Sequence, residues 1–147
     1  MSIVYAFKGQ KNGGNRNQQV AACKHFKPEF CDLENELYST DFQIADQVIK
    51  YAEQWNNFCS NGRKILISRG DIHETDCGTK YLVEPLIRYF TKFTSNTGWI
   101  AKEEDIGWHV QCMEAFSHFT YHASSGKKMV CDLQGRFWPD SGRHRFE

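Results

Sequence analysis

The chain has 147 residues, of which 40% are hydrophobic and 14% aromatic, so it is long and apolar enough for one domain with a buried core. Eighteen Lys and Arg residues balance eighteen Asp and Glu residues, and this balance favours neither nucleic acid nor an anionic membrane as a partner. No apolar run approaches the roughly 20 residues that span a bilayer, and the first residues lack the apolar core of a signal peptide. We therefore expect an intracellular, cytoplasmic protein whose six cysteines are free thiols rather than disulfides.

The first third of the sequence predicts a β-hairpin and a long helix. Two β-prone runs, Ile3 to Phe7 and Val20 to Phe26, flank a polar segment that contains several glycines, which is typical of paired strands joined by a long turn. Apolar residues then recur at helical spacing from Thr40 to Phe58. Thr40 and Gln43 have the spacing of a capping box, so the helix is predicted to begin there.

The rest of the sequence predicts three strand regions and one short helix. These are a strand at Lys64–Ser68, a β-rich run at Tyr81–Phe93 interrupted by Pro85, a helix at Cys112–Thr120 and a last strand at Lys128–Leu133. Turn residues separate them at 75–78, 94–98 and 124–126. The order of elements indicates an α+β fold, in which one main helix accompanies a mixed or antiparallel sheet.

Three charged residues stand where phosphate chemistry would need them. Lys24 ends the apolar segment VAACKHF, and it is either an inward lysine that neutralises phosphate oxygens or, more commonly, an edge-strand lysine that faces water. Glu84, in YLVEPL, is either a paired carboxylate in a connector between lobes or a solvent-facing strand end. Asp132, in KMVCDLQG, lies at the end of a predicted strand, just before a turn. A carboxylate there either binds a divalent cation or is an ordinary turn former.

His118 lies between aromatic residues in EAFSHFTYH. A lone histidine on an apolar face is usually a core residue whose hydrogen bonds are satisfied. His122 follows four positions later, but no Cys-x-x-Cys pair is present to complete a zinc set. The residues alone therefore favour a core position for His118.

Four segments resemble one known family. The alpha-type protein kinase (alpha-kinase) family, which includes the myosin heavy chain kinases and elongation factor 2 kinase, has similar segments in the same order. They are VAACKHF at 20–26, KYAEQWNNF at 50–58, YLVEPLIRYFTKFTSNTGWI at 81–100 and AFSHFTYHASSGKKMVCDLQG at 115–135. The last segment is the longest and most specific, and together the four cover most of the chain.

The resemblance implies a two-lobed, protein-kinase-like fold that binds ATP with Mg²⁺ and phosphorylates serine or threonine in a protein substrate. Residues from about 1 to 87 would form the N-terminal lobe, and residues from about 88 to 147 the hinge and the beginning of the C-terminal lobe. The family also implies a structural Zn²⁺, with His118 as one ligand, which replaces the interpretation of His118 as a core residue.

The resemblance also assigns nucleotide-binding and catalytic roles by position. Lys24 would hold the phosphates, Glu84 and Leu86 would face adenine at the hinge, and Asp132 and Gln134 would line the phosphate and Mg²⁺ side as catalytic residues. The glutamate that pairs with Lys24 is not assigned, and position alone leaves Glu34, Glu36 and Glu53 as candidates.

The sequence after DLQG departs from the family. The Thr-Asp-Pro segment with the catalytic aspartate, the later glycine-rich loop and the remaining zinc ligands, a His and two Cys, do not follow, and Asp140 is not equated with that aspartate. Ser2 stands where the family's first strand has arginine, so we expect a domain shortened at both ends. The second lobe would normally cover the aromatic residues of 115–121, so we expect Phe116, Phe119, Phe137 and Trp138 to lie exposed or to need a partner.

Three hypotheses stay open on the sequence. The chain is an ATP-dependent serine/threonine kinase, or it is a catalytically inactive kinase remnant that binds nucleotide or protein, or it is part of a longer and active kinase.

Overall fold

A computed structural model describes residues 4–8, 20–59, 64–102, 107–136 and 145–146. The chain divides into two compact units, one formed by Met1–Ala45 with Ser68–Leu86 and the other by Asp46–Ile67 with Ile87–Glu147. The predicted α+β class is confirmed, since antiparallel sheets and helices are both present. The identification of the two units with kinase lobes stays a prediction. No helix in the described ranges is long and apolar enough to cross a membrane.

The two sheets belong to different units. β1, β2, β4 and β3 form, in that order, the four-stranded sheet of the first unit, and β5, β6 and β7 form the three-stranded sheet of the second. The elements in chain order are β1 (Val4–Lys8), β2 (Val20–Lys24), a 3₁₀ helix (Pro28–Leu33), α1 (Glu34–Phe58), β3 (Asp71–Glu74), β4 (Lys80–Pro85), β5 (Thr91–Lys92), α2 (Trp108–Ala123), β6 (Gln134–Arg136) and β7 (Arg145–Phe146).

The four-stranded sheet confirms the predicted hairpin and contains an edge strand that the sequence did not predict. β1 pairs with β2, and β3 pairs with β4. All four residues of β3 are exposed, so the segment DIHE lacks the apolar alternation that indicates a strand. The turn between β3 and β4 lies where the sequence predicted it. Gly78 adopts a φ of 82° there, a conformation that glycine tolerates best.

α1 begins at Glu34, and the capping-box interpretation of Thr40 is wrong. The Thr40 hydroxyl lies inside the helix and donates a 2.9 Å hydrogen bond to the Glu36 carbonyl. The earlier turns are held by Tyr38, which is 2% exposed and donates a 3.2 Å hydrogen bond from its hydroxyl to the Lys80 carbonyl of β4. Burial, together with the Glu34 carboxylate, raises the pKa of Tyr38 to about 12, so the hydroxyl stays a donor.

The core of the second unit joins the C-terminal half of α1 to α2, which confirms the predicted short helix. Its buried side chains are Tyr51, Ala52, Ile65, Phe93, Met113, Phe116 and Leu133. Trp55 of α1 packs edge-on against Phe116 and Phe119, with ring centroids 5.8 and 5.4 Å away. Phe116 is 0% exposed and Phe119 is half-buried. The expectation that Phe116 and Phe119 would be exposed or need a partner is therefore wrong, because α1 covers them. Phe137 and Trp138, of which the same was expected, lie outside the described residues.

The predicted strand at Lys64–Ser68 is wrong, because a side chain of α1 takes the place of a strand partner. Within this described segment only isolated bridge positions occur, at Lys64 and Ile67. The Asn56 side chain donates to the Ile65 carbonyl at 2.7 Å and accepts from the Ile65 N–H at 2.8 Å. Both backbone groups of the buried Ile65 are thus paired without a ladder.

The predicted strand at Lys128–Leu133 is also wrong, since side-chain hydroxyls accept hydrogen bonds from its backbone. The contacts are Lys128 N–H to Ser124 Oγ at 2.9 Å, Val130 N–H to Thr120 Oγ1 at 2.9 Å and Leu133 N–H to Thr94 Oγ1 at 3.0 Å. The segment therefore forms no strand of its own, and its apolar residues differ in burial, since Leu133 is 4% exposed and Met129 is 50% exposed. The strand β6 begins only at Gln134, where pairing with β5 starts.

We expect Asn56→Ala to lower the free energy of unfolding by about 2–4 kcal/mol, since it leaves two backbone groups of Ile65 unpaired at about 1–3 kcal/mol each. Urea denaturation followed by circular dichroism measures the change. Asn57→Ala removes the same side chain from an exposed position on α1 and should change stability by less than about 0.5 kcal/mol. Equal losses in the two variants would contradict the role given to Asn56.

Candidate functional site

Lys24 and Glu84 form an ion pair across the sheet of the first unit. Lys24 is the last residue of β2, and its direct partner on β4 is Leu82. Glu84 lies two residues further along β4, hence diagonally opposite Lys24 on the same face. The Lys24 ammonium contacts Glu84 Oε2, and the two side chains are 37% and 24% exposed. The lysine is thus oriented by a carboxylate while part of it stays accessible.

A third charged side chain, Asp41 of α1, is coupled electrostatically to this pair. Partial burial raises the pKa of the Asp41 carboxyl, the negative charge of Glu84 raises it further, and Lys24 lowers it. The net pKa is above the ordinary aspartate value, although the residue keeps exposed surface. Tyr38 lies one helical turn earlier and holds this part of α1 against β4.

Asp132, Gln134 and Lys92 lie together in the second unit. Lys92 of β5 is the direct partner of Gln134 of β6, and its ammonium lies 2.7 Å from Asp132 Oδ1. Asp132 has a φ of 59°, a left-handed conformation that aspartate adopts more readily than most residues. It therefore lies on a turn before a strand, and the expectation that it ends a strand is wrong. Its side chain is 52% exposed.

The structure gives Lys24 a partner that position in the sequence did not suggest. In the described part of the chain the ion pair of Lys24 is with Glu84. Position in the sequence alone had left Glu34, Glu36 and Glu53 as candidates. A strand ladder brings Lys24 and Glu84 together although they lie 60 positions apart, and position along the sequence does not indicate such a pairing.

Leu86 follows β4 outside regular structure and is half-buried, and its contact with adenine stays a prediction. Lys24 and Glu84 belong to the first unit, and Asp132 belongs to the second. The convergence of Lys24 and Asp132 on one triphosphate therefore also stays a prediction.

His118 and His122 lie one turn apart on α2, with ring centroids 4.6 Å apart. Both are exposed, so a core position for His118 is wrong, and the buried face of α2 is formed by residues such as Met113 and Phe116. A structural zinc site takes four ligands. Among the residues with described positions, no group of three or more His, Cys, Asp or Glu is placed to hold a metal, so they do not assemble the Zn²⁺ site that the resemblance implied.

Two charged residues of these sites, Asp41 and Lys92, were not predicted. Asp41 lies within the predicted helix, but helical periodicity does not tell which polar residue meets a sheet. For Lys92 a signal existed, because alternation along a strand sets it on the face opposite its neighbour Phe93, which is 0% exposed. Its contact with Asp132 depends on the pairing of β5 with β6, which the sequence did not reveal.

The fold is of the protein-kinase-like class, as comparison with solved structures shows. The chain is similar to an alpha kinase from Entamoeba histolytica, with a TM-score of 0.64 and 22% identity, covering 88% of this chain and 53% of that one. It is also similar to the alpha-kinase domain of myosin-II heavy chain kinase A in complex with AMP-PNP, with a TM-score of 0.66, 22% identity, and coverage of 88% and 50%. The chain spans about half the length of these solved proteins.

The Alpha-kinase family model matches residues 2–142, and the chain therefore belongs to the alpha-kinase family. The apoenzyme structure of the myosin-II heavy chain kinase A domain is similar as well, with a TM-score of 0.64, 23% identity, and coverage of 87% and 53%. No curated protein matches the chain in sequence.

We expect Asp41→Asn to make unfolding at pH 7 require more urea than in the wild type. The folded pKa of Asp41 is raised, so the folded chain binds this proton more tightly than the unfolded chain. That stabilisation is full below the unfolded pKa of about 3.9 and is lost as pH rises through the folded pKa. The advantage of the variant should therefore shrink towards pH 3.5.

Glu53→Gln, which removes a negative charge from an exposed position on α1, is the matched control for the change in net charge. Urea midpoints at pH 3.5, 5 and 7 measure the effect. A destabilised Asp41→Asn variant at pH 7 would mean that attraction to Lys24 outweighs burial and repulsion by Glu84.

Proposed function

We propose that this chain forms the ATP-binding part of an alpha-type protein kinase and that its activity is ATP-dependent phosphorylation of serine or threonine in a protein. The observation that carries the proposal is the ion pair between Lys24 of β2 and Glu84 of β4. A strand-borne lysine oriented by a glutamate is what the phosphates of a nucleotide need, because phosphoryl transfer asks the protein mainly for positioning and charge neutralisation.

In this proposal Lys24 binds the phosphates and Glu84 sets the direction of its ammonium. Glu84 also lies one residue from the end of β4, which keeps it and Leu86 as the residues proposed to approach adenine. Asp41 adds a second carboxylate near Lys24.

The second unit supplies the carboxylate that we propose for Mg²⁺. Carboxylate and amide oxygens suit this ion, and Asp132 and Gln134 both carry one. Mg²⁺, when bound, neutralises phosphate charge. Lys92 holds Asp132 at 2.7 Å and fixes the carboxylate before any ligand arrives.

The comparisons support ATP as the nucleotide, since one similar structure is an alpha-kinase domain in complex with AMP-PNP. They support a protein as the substrate through the family alone. Binding of nucleotide without phosphate transfer is the alternative, an inactive module for nucleotide or protein binding.

We expect Lys24→Ala and Asp132→Ala each to weaken binding of AMP-PNP with Mg²⁺ by about tenfold or more, equivalent to about 1.4 kcal/mol. Each variant removes a charge that faces the phosphates or their metal ion. Isothermal titration calorimetry measures the affinity.

Lys80→Ala and Lys127→Ala remove one lysine from each unit outside the candidate sites and should bind as the wild type does. A wild-type chain that binds no nucleotide, or binding that neither Lys24→Ala nor Asp132→Ala weakens, would overturn the proposed function. Transfer of radiolabelled phosphate to serine or threonine of a basic protein then separates the kinase from the inactive module.

A further inference from the structure

Gly70 lies where the chain enters β3 and comes very close to β4. It directly precedes Asp71, which pairs with Val83, and it is buried. A Cβ atom on Gly70 would lie 2.7 Å from Leu82 Cδ1, 2.9 Å from Glu84 Cγ and 3.2 Å from the Val83 carbonyl oxygen. Carbon atoms in favourable contact are about 3.5–4.0 Å apart, so any side chain at this position requires β4 or its side chains to move.

The three neighbours differ in how they could respond to such a side chain. Leu82 Cδ1 is the end of a flexible side chain and can rotate away. The Val83 carbonyl is backbone within a paired strand, so its displacement would disturb the β3–β4 ladder. Glu84 Cγ carries the carboxylate that contacts Lys24, so displacing this atom moves the carboxylate as well.

Space, rather than backbone conformation, is the reason for glycine at position 70. Gly78, in the same unit, has a φ of 82° and nothing within 4 Å of a built Cβ, so its requirement is conformational. Gly70 lies outside the left-handed region, so any residue could adopt its backbone. What another residue could not do is leave Glu84 where it is.

We propose that Gly70 is a positioning residue, whose missing side chain lets Glu84 lie against the start of β3 and hold the Lys24 ammonium. The consequence for nucleotide affinity rests on the proposed function. The effect of residue 70 on the Glu84–Lys24 pair itself does not, because the pair exists without nucleotide.

The test is a double-mutant cycle between Gly70→Ala and Glu84→Ala, read out by AMP-PNP affinity and by the urea midpoint of unfolding. Gly70→Ala alone should weaken AMP-PNP affinity by about fivefold or more. In the Glu84→Ala background the same substitution should weaken it by less than about twofold, because the effects of two substitutions that act through one contact are not additive. The decrease in urea midpoint caused by Gly70→Ala should likewise be smaller in that background, since Glu84→Ala removes the obstructing Cγ.

Gly78→Ala is the matched control, because it strains the same unit through its positive φ without touching Glu84. It should lower the urea midpoint equally in both backgrounds and leave affinity unchanged. Losses from Gly70→Ala that are the same size with and without the Glu84 side chain would overturn the inference. If the wild type binds no AMP-PNP, the proposed function fails, and the cycle in urea midpoints alone decides the role of Gly70.

Discussion

The pairing of buried backbone groups is the constraint on which both charged groups depend, because an unpaired N–H or C=O away from water is costly. In the first unit the ladder between β2 and β4 meets this need, and its register sets Lys24 diagonally opposite Glu84. In the second unit side chains meet part of it, beside the ladder of β5, β6 and β7. Thr94 accepts from the Leu133 N–H, and this contact fixes the turn that carries Asp132. The same bonds that satisfy the backbone therefore position the charges.

The sequence predicted the elements whose signal is local. The helix α2 and the turn at Gly78 follow from residues within a few positions of one another. The hairpin of β1 and β2 follows from two β-prone runs on either side of a glycine-containing segment. Each of the three is confirmed. The predicted strands at 64–68 and 128–133 fail for one shared reason. Their apolar pattern is real, but their backbone partners are side chains such as Asn56 and Thr120, which lie at least nine positions away and carry no strand signal.

The residues of the candidate site also fall into those that the sequence indicates and those that only the folded structure reveals. Lys24, Glu84 and Asp132 are singled out by a charge beside an apolar run, and the structure gives each of them an oppositely charged partner. Lys92, which pairs with Asp132, and Asp41, which is coupled electrostatically to Glu84 and Lys24, were missed because their roles depend on tertiary contacts. The predicted start of α1 was wrong for the same reason, a tertiary contact that the sequence does not reveal. Tyr38 anchors the helix before Thr40 through a contact with Lys80, and this contact overrides the local capping signal.

Magnitudes decide whether the Lys24–Glu84 pair would help or hinder a phosphate ligand. Ion pairs with substantial exposure contribute only about 0–1 kcal/mol, and Lys24 and Glu84 are 37% and 24% exposed. A hydrogen bond to a charged group contributes about 1.5–3 kcal/mol, so a phosphate oxygen can share or replace Glu84 at little cost. Fixing a free lysine side chain costs about 1.5–2 kcal/mol in rotamer entropy, and Glu84 has already met part of that cost. The pair is thus strong enough to orient the ammonium and too weak to withhold it, and that balance is lost if the carboxylate is either removed or buried more deeply.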